Sequence, residues 1–165
     1  MIYAKLDQAG NVEVYPYTMN DFRKDFSDVL IRDNPPEDAL IQWGVVPVLS
    51  SDAPEAPIGQ KVQLTTPVLI NGQWAEQWEL VPAPVPWSVS MAQARIALKR
   101  AGLLSQVEAA IAAIPDEGAR EEAELFWEYA TEVQRTNSLI QSLGPLLGLS
   151  EEEIDMLFHV AKTIN

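Results

Sequence analysis

Helix-start signals in the C-terminal half constrain this chain more strongly than any other feature. In a capping box, a serine and a Glu or Gln three residues later each bind the other's backbone N–H at a helix start. The serines with this spacing are Ser90, Ser105, Ser138 and Ser150. Residues that favour helix ends follow at Gly102, Pro115 and Gly148. Together they predict helices at residues 91–101, 106–114, 117–135, 139–147 and 151–163.

The apolar spacing within these segments predicts how the helices pack. One face of the third helix carries Leu125, Phe126, Tyr129 and Val133, and the last helix places Ile154, Leu157, Phe158 and Ala161 together. The connections are short, so sequence neighbours should pack side by side. We expect Gly144-Pro145 to distort the fourth helix. We expect one buried cluster made of Leu125, Phe126, Tyr129, Ile154, Leu157 and Phe158.

An Asn-Gly pair in the N-terminal half predicts a β-hairpin. Asn71-Gly72 separates two runs of β-formers, residues 62–70 and 73–81, and both residues of the pair tolerate a positive φ. A two-residue loop would pair Ile70 with Gln73. One extra loop residue would pair Ile70 with Trp74 and gather the apolar side chains on one face, so we favour this bulged register. Trp74 and Trp78 then either anchor the core or form an aromatic patch for a partner.

The rest of the N-terminal half reads as short strands and helices. Residues 2–7 and 11–17 are rich in β-formers and flank a turn at Ala9-Gly10-Asn11. A helix should follow, with Asn20 as its cap and apolar residues at Phe22, Phe26, Val29 and Leu30. Pro35-Pro36 should stop the chain before a helical turn that ends at Gly44. Residues 45–51 should form an edge strand, because Pro47 cannot donate to a neighbouring strand.

The proline-rich stretch at residues 82–88 predicts a division of the chain. Prolines 82, 84 and 86 alternate with small apolar residues, which favours an extended linker. We therefore expect an α+β module at residues 1–81, a linker at residues 82–88 and a five-helix module at residues 89–165. The fold class is α+β, a mixed module with a β-hairpin followed by a helical bundle.

The charge of the chain argues against several classes of partner. The 165 residues carry 24 acidic and 11 basic side chains, a net charge of −13 that both halves share. This charge disfavours nucleic acids and anionic membranes, which need basic surfaces. We also expect no membrane span and no signal peptide. The absence of cysteine excludes disulfides and thiolate chemistry and fits synthesis in a cytoplasm.

A search for chemical motifs predicts neither catalytic, cofactor-binding nor metal-binding residues, so we do not expect an enzyme. His159 is the single histidine and should lie on the surface of a helix or at its boundary with the core. Glu151, Glu152 and Glu153 diverge on a helix start, and no glycine motif suits a phosphate. The acids Asp116, Glu117, Glu121, Glu122 and Glu124 should be solvated. Arg95, Lys99 and Arg100 should pair with neighbouring acids or contact an acidic partner.

Several segments of the helical half resemble small proteins encoded in phage and prophage tail regions. The segments are QARIALKRAGLLSQVEAAIAA, WEYATEVQR, SLIQSLGPLLGLSEEEIDMLF and HVAKTI. The N-terminal half is more loosely similar to other phage-tail accessory proteins. The residues that match the pattern are Gln93, Ala94, Arg95, Leu98, Gly102, Leu103, Leu104, Val107, Glu108, Ala109, Ile111, Trp127, Glu128, Ala130, Leu147, Gly148, Leu149, Ile154, Asp155, Leu157 and Phe158.

This resemblance implies a structural or assembly role and carries over no catalytic residue. The function it implies is that of a tail accessory protein, an adaptor in the virion tail that is made in the host cytoplasm. Its partners would be fibre or baseplate subunits, with multiple copies per particle and no nucleic acid, membrane or cofactor. The alternative is a chaperone for tail-fibre assembly. For the adaptor we expect docking through the strand at residues 1–6 or through the hairpin, by strand addition.

Overall fold

The computed structural model describes residues 2–27 and 35–165, and it confirms the α+β class. The described residues form seven helices and nine strands. Two compact units result. The sheet unit comprises Met1–Ala56 and Val62–Val81, and the helical unit comprises Pro57–Lys61 and Pro82–Asn165.

The sheet unit is built on a five-stranded mixed sheet. Its strands are β1 (Ile2–Leu6), β2 (Val12–Tyr17), β3 (Val45–Leu49), β5 (Val68–Ile70) and β6 (Gln73–Ala75). They are arranged in the order β2-β1-β3-β6-β5. All neighbouring pairs are antiparallel except β3 and β6, which are parallel. Two further strands, β4 (Gln60–Leu64) and β7 (Trp78–Pro82), pair as a separate two-stranded sheet.

Local hydrogen bonds explain why the first elements form where they do. The carboxylate of Asp7 accepts from the backbone N–H groups of Ala9 and Asn11, each at 2.8 Å, and this closes the predicted turn between β1 and β2. Helix α1 (Met19–Asp25) follows. Its cap is Thr18, which forms a capping box with Asp21, so the prediction of Asn20 was wrong.

The predicted apolar stripe of α1 is only partly described. Phe22 is buried and Phe26 is half-buried, whereas Val29 and Leu30 lie outside the described residues.

The prediction that residues 45–51 form an edge strand was wrong. A short helix, α2 (Glu37–Ile41), precedes Gly44 as expected, but β3 then lies in the middle of the sheet. Pro47 stands opposite Tyr3 of β1. On the other side, β6 pairs only with Val48 and Leu49. Strand β6 thus joins β3 only after Pro47, so the pairing does not need the N–H that proline lacks.

The five-stranded sheet buries side chains on both faces. Successive residues of a strand point to opposite faces, and the neighbours Tyr3 and Ala4 belong to different clusters. Tyr3 packs with Tyr17, Phe22, Leu40 and Val45, next to α1 and α2. Ala4 packs with Val46 and Val48, and half-buried Trp74 covers them.

The hairpin has the tight register, so the favoured bulged register was wrong. Ile70 pairs with Gln73, Leu69 with Trp74 and Val68 with Ala75. Asn71 and Gly72 have φ values of 50° and 80°, as a two-residue turn requires. The bulged register assumed one long hairpin with a single apolar face. Instead the flanking runs divide between two sheets, and each part follows its own pattern.

The helical unit contains two short strands that we did not predict, and the first of them is β8 (Ser88–Ser90). The helices are α3 (Met91–Arg100), α4 (Leu104–Ala112), α5 (Glu117–Tyr129), α6 (Ser138–Leu146) and α7 (Glu151–Lys162). The third predicted helix, 117–135, was too long: α5 ends at Tyr129 and β9 (Glu132–Gln134) pairs antiparallel with β8. Val133, expected on the helix, lies on β9 opposite Val89, and both are buried.

Two of the four predicted caps are real. Ser90 and Ser150 form complete capping boxes with Gln93 and Glu153. Ser105 lies inside α4, which begins without a side-chain cap, and the predicted role of Ser138 belongs to its neighbour Asn137. A capping motif thus marks the region of a helix start to within one or two residues.

The predicted face of α5 was partly wrong. Leu125 and Tyr129 are exposed, and the helix instead packs through Ala123, Phe126 and Trp127. The acids on α5 leave more than one apolar stripe, so periodicity alone did not select the buried one. On α7 the prediction was better: Ile154, Phe158 and Ala161 are buried in one cluster, and Leu157 is half-buried.

Helix α6 continues through Gly144-Pro145 and ends at Leu146. Gly144 is buried against α7: a Cβ atom built on it would lie 2.5 Å from Cδ1 of Ile154. Any larger residue at this position would require the end of the Ile154 side chain to shift.

Candidate interaction surfaces

Strand β5 is the most exposed apolar element of the sheet unit. It is the last strand of the five-stranded sheet, and no strand of the described chain pairs with its outer side. All three of its residues are exposed: Leu69 by 58%, Ile70 by 52% and Val68 by 36% of their surface. Contiguous exposed apolar residues on an edge strand mark a site for strand addition.

The register of the hairpin determines which backbone groups of β5 point outward. In a two-residue hairpin the pair next to the turn, Ile70 and Gln73, is hydrogen-bonded, and the following pair is not. Leu69, opposite Trp74, therefore directs its N–H and C=O away from β6. An extended chain lying beside β5 would find one donor and one acceptor at Leu69.

Glu76 fastens the base of this hairpin. Its carboxylate accepts from the Ser51 N–H at 2.8 Å, the Ser50 hydroxyl at 3.0 Å and the Tyr15 hydroxyl at 3.2 Å, while its own N–H donates to the Leu49 carbonyl. The Ser51 N–H and the two hydroxyls hold the pKa of Glu76 below its ordinary value of 4.5. Burial and the nearby Glu76 raise the pKa of Tyr15 to about 12.

The tryptophans flank this polar group from two different sheets. Trp74 on β6 packs on the cluster of Ala4, Val46 and Val48, so it serves as a core anchor. Trp78 on β7 is half-buried and donates from Nε1 to the Ser51 hydroxyl at 3.0 Å. These contacts hold the hairpin that carries β5.

A second polar group joins β1 to α1. Lys5 Nζ lies 2.6 Å from the carboxylate of Asp25, and the Tyr17 hydroxyl donates to the same carboxylate at 3.0 Å. Lys5 and Tyr17 lower the pKa of Asp25, and Asp25 raises the pKa of Lys5. Each group already has its partner, so the arrangement is structural.

The histidine and acidic residues considered in the sequence do not form a common site in the structure. His159 is half-buried on α7, and the acids from Asp116 to Glu124 are exposed. Among residues 2–27 and 35–165, no three His or acidic side chains are placed to hold a metal ion. Nor does any helix in this part of the chain have the length and apolar character needed to span a membrane.

The basic residues have unexpected partners. Arg95 donates to the carbonyl of Trp127 and stacks over its ring, with 5.0 Å from Cζ to the ring centroid. Within the described residues it forms no ion pair, so the predicted pairing with acids was wrong for Arg95. Arg135, in contrast, bridges Glu151 at 2.5 Å and Asp155 at 2.6 Å and ties the end of β9 to α7.

The helical unit encloses an apolar cavity of about 70 Å³ between α3, α6 and α7. Sites for small ligands usually measure roughly 300–1,000 Å³ and contain a few polar groups. This cavity has the size of a packing defect, and it carries no functional assignment.

No protein-family model matches the chain, and neither a curated protein nor a solved structure matches it. The assignment of function therefore rests on the surfaces described above and on the resemblance of the helical segments.

Proposed function

We propose that this chain is a structural accessory protein of a bacteriophage tail, an adaptor that binds fibre or baseplate subunits. It acts by protein–protein binding and not by catalysis. The observation that carries the proposal is the exposed, uncovered strand β5, with the outward N–H and C=O of Leu69 at its centre. The resemblance of the helical segments to tail-region proteins supplies the biological setting.

The sheet unit anchors the adaptor in this proposal. Strand β1, the first docking site expected from the sequence, lies between β2 and β3 and has no open side, so that prediction was wrong. The hairpin, the other expected site, retains an open edge. Its partner would contribute an extended segment that adds to β5, with apolar side chains against Leu69 and Ile70.

Two substitutions at one position separate the backbone from the side chain. Leu69→Pro removes the outward N–H, while the Val68 and Ile70 bonds to β6 remain. Leu69→Ala removes most of the side chain and keeps the N–H. Strand addition predicts that Leu69→Pro incorporates into particles far less than Leu69→Ala does.

The measurement is quantitative mass spectrometry of purified particles from the phage or prophage that encodes the chain. We expect particles to contain the wild-type chain at a fixed ratio to a fibre or baseplate subunit. The Leu69→Pro variant should be largely absent from them. A chain present in the producing cells but absent from particles would contradict the adaptor and favour the assembly chaperone. Equal incorporation of Leu69→Pro and wild type would contradict strand addition. Circular dichroism of each variant controls for folding.

A further inference from the structure

A groove of about 900 Å³ crosses the surface of the helical unit between α5 and α6. Both helices pack on α4, and the space between them forms the groove. The wall from α5 consists of Ala119, Glu122, Ala123 and Phe126, which follow the i, i+3, i+4, i+7 spacing of one helix face. Leu146 lines the α6 side and is 69% exposed.

The shape of the groove suits a helix. The alanines Ala110, Ala113 and Ala119 line it and allow a close approach, since the distance between packed helices depends on the side chains at the contact. Both walls are helices, whose backbone groups bond mainly within α5 and α6, so an extended strand would gain no ladder of hydrogen bonds here. A helix with an apolar row at the same spacing would take the place between α5 and α6.

The charge at the groove and on the whole chain indicates the kind of helix. Helices α4, α5 and α6 carry six acidic residues, of which only Glu122 lines the groove, while Glu108, Glu124 and Glu128 line a different pocket. Their one basic residue, Arg120, donates to the Ile114 carbonyl at 3.1 Å. A second copy of the chain, with its net charge of −13, would bring like charges together. A helix with Lys or Arg beside its apolar row would instead meet Glu122 at the groove and a chain of opposite net charge.

We propose that the groove between α5 and α6 binds an amphipathic helix of another protein, one whose apolar row is flanked by basic residues. Leu146 supplies the main apolar contact and Glu122 the main charge at the groove. This site is separate from strand β5 and does not depend on the tail assignment.

The test uses the full chain and a fluorescein-labelled peptide of about 18 residues made of leucine and lysine, with leucines at helical spacing. Fluorescence anisotropy measures its Kd. A matched peptide with glutamate in place of lysine reports the role of charge. We expect the lysine peptide to bind, with an affinity that falls as salt rises, and the glutamate peptide not to bind.

Paired variants locate the binding. Leu146→Gln should raise the Kd by about tenfold or more, the effect of one buried leucine. Leu125→Gln makes the same change at a residue of α5 that is 59% exposed and does not line the groove, and its Kd should stay within about twofold of wild type. Glu122→Gln should weaken the salt dependence, whereas Glu128→Gln, outside the groove, should not.

Several results would overturn the proposal: no binding of the lysine peptide, equal binding of the glutamate peptide, or equal effects of Leu146→Gln and Leu125→Gln. If Leu146→Gln fails to fold, Ala113→Trp fills the groove from an exposed position and should block binding in its place. Leu69→Pro should bind the lysine peptide as wild type does. A failure of the groove is thereby distinguished from a failure of the proposed adaptor function.

Discussion

The sheet unit and the helical unit expose apolar residues in two different ways. On β5 the exposed side chains accompany backbone groups that point outward at Leu69. Around α5 and α6 the backbone groups bond mainly within the helices, and a partner would contact side chains such as Leu146. A strand edge can bind many extended sequences, because it hydrogen-bonds to the backbone of the bound segment. Binding in the groove would instead depend on the side chains and the charge of the bound helix. We therefore propose a different kind of partner for each unit.

The largest expected change in stability tests whether the helical unit is stabilised by its own core. Phe158 is buried in the cluster that also contains Ile154 and Ala161. Phe158→Ala should lower the free energy of unfolding by about 3–5 kcal/mol, measured by chemical denaturation. Leu125→Ala, at an exposed position, should change it by less than about 0.5 kcal/mol. A loss below about 1 kcal/mol for Phe158→Ala would mean that α7 packs on a partner instead.

The next effect sharpens the contrast between close helix packing and an open sheet edge. Gly144→Ala would place a Cβ atom 2.5 Å from Cδ1 of Ile154. We expect a cost of about 1–3 kcal/mol from overpacking, despite the better helix propensity of alanine.

Ile154→Val removes the opposing methyl group and supplies the control for this contact. In the double variant the cost of Gly144→Ala should shrink, so that a double-mutant cycle shows coupling between the two positions. Strictly additive costs would mean that Gly144 is constrained by something other than Ile154.

A smaller effect tests the ends of the helices. Ser150→Ala removes the cap of α7 and should cost about 1 kcal/mol of unfolding free energy. Ser105→Ala is the matched control, since Ser105 lies within α4 and caps nothing. We expect the Tm from thermal unfolding to be clearly lower for Ser150→Ala than for Ser105→Ala. The reverse ranking would restore the start of α4 that the sequence predicted.

The smallest expected effect concerns the fastening of the hairpin in the sheet unit. The pKa of Glu76 is lowered in the folded chain, so its carboxylate stabilises the fold above about pH 4.5, and this contribution is lost as the pH falls through the folded pKa. Glu76→Gln should therefore destabilise the chain more at pH 7 than at pH 3, as seen in thermal unfolding. Glu79→Gln, at an exposed position of β7, is the matched control. An equal loss at both values of pH would contradict the proposed role of the carboxylate.

Local signals predicted much of the helical unit, and nonlocal pairing accounts for most of the errors. Capping boxes and glycine stops depend on residues a few positions apart, so Ser90, Ser150, Gly102 and Gly148 marked helix ends correctly. Strand β9 was not predicted, because its partner β8 lies more than 40 residues earlier in the chain. The alternation of polar and apolar residues around buried Val133 is the one local feature that could have indicated this strand.

The candidate surfaces were less predictable than the helices. The Asn-Gly turn located the hairpin, but its tight register followed from a division between two sheets that no local pattern contains. The position of Pro47 in a central strand likewise depends on where β6 joins. The groove arises because α5 and α6 both pack on α4, which the sequence pattern of each helix alone does not reveal.

The segment Pro57–Lys61 belongs to the helical unit although the sheet unit lies on both sides of it in the sequence. There Gly59 accepts a hydrogen bond from the Ala83 N–H at 2.9 Å, and a Cβ atom on Gly59 would lie 3.0 Å from Cε of Met156. A single junction at residue 81 or 82 would separate Gly59 from both contacts. A chain divided there would therefore yield neither unit in full, and expression of either unit alone would have to include or replace residues 57–61.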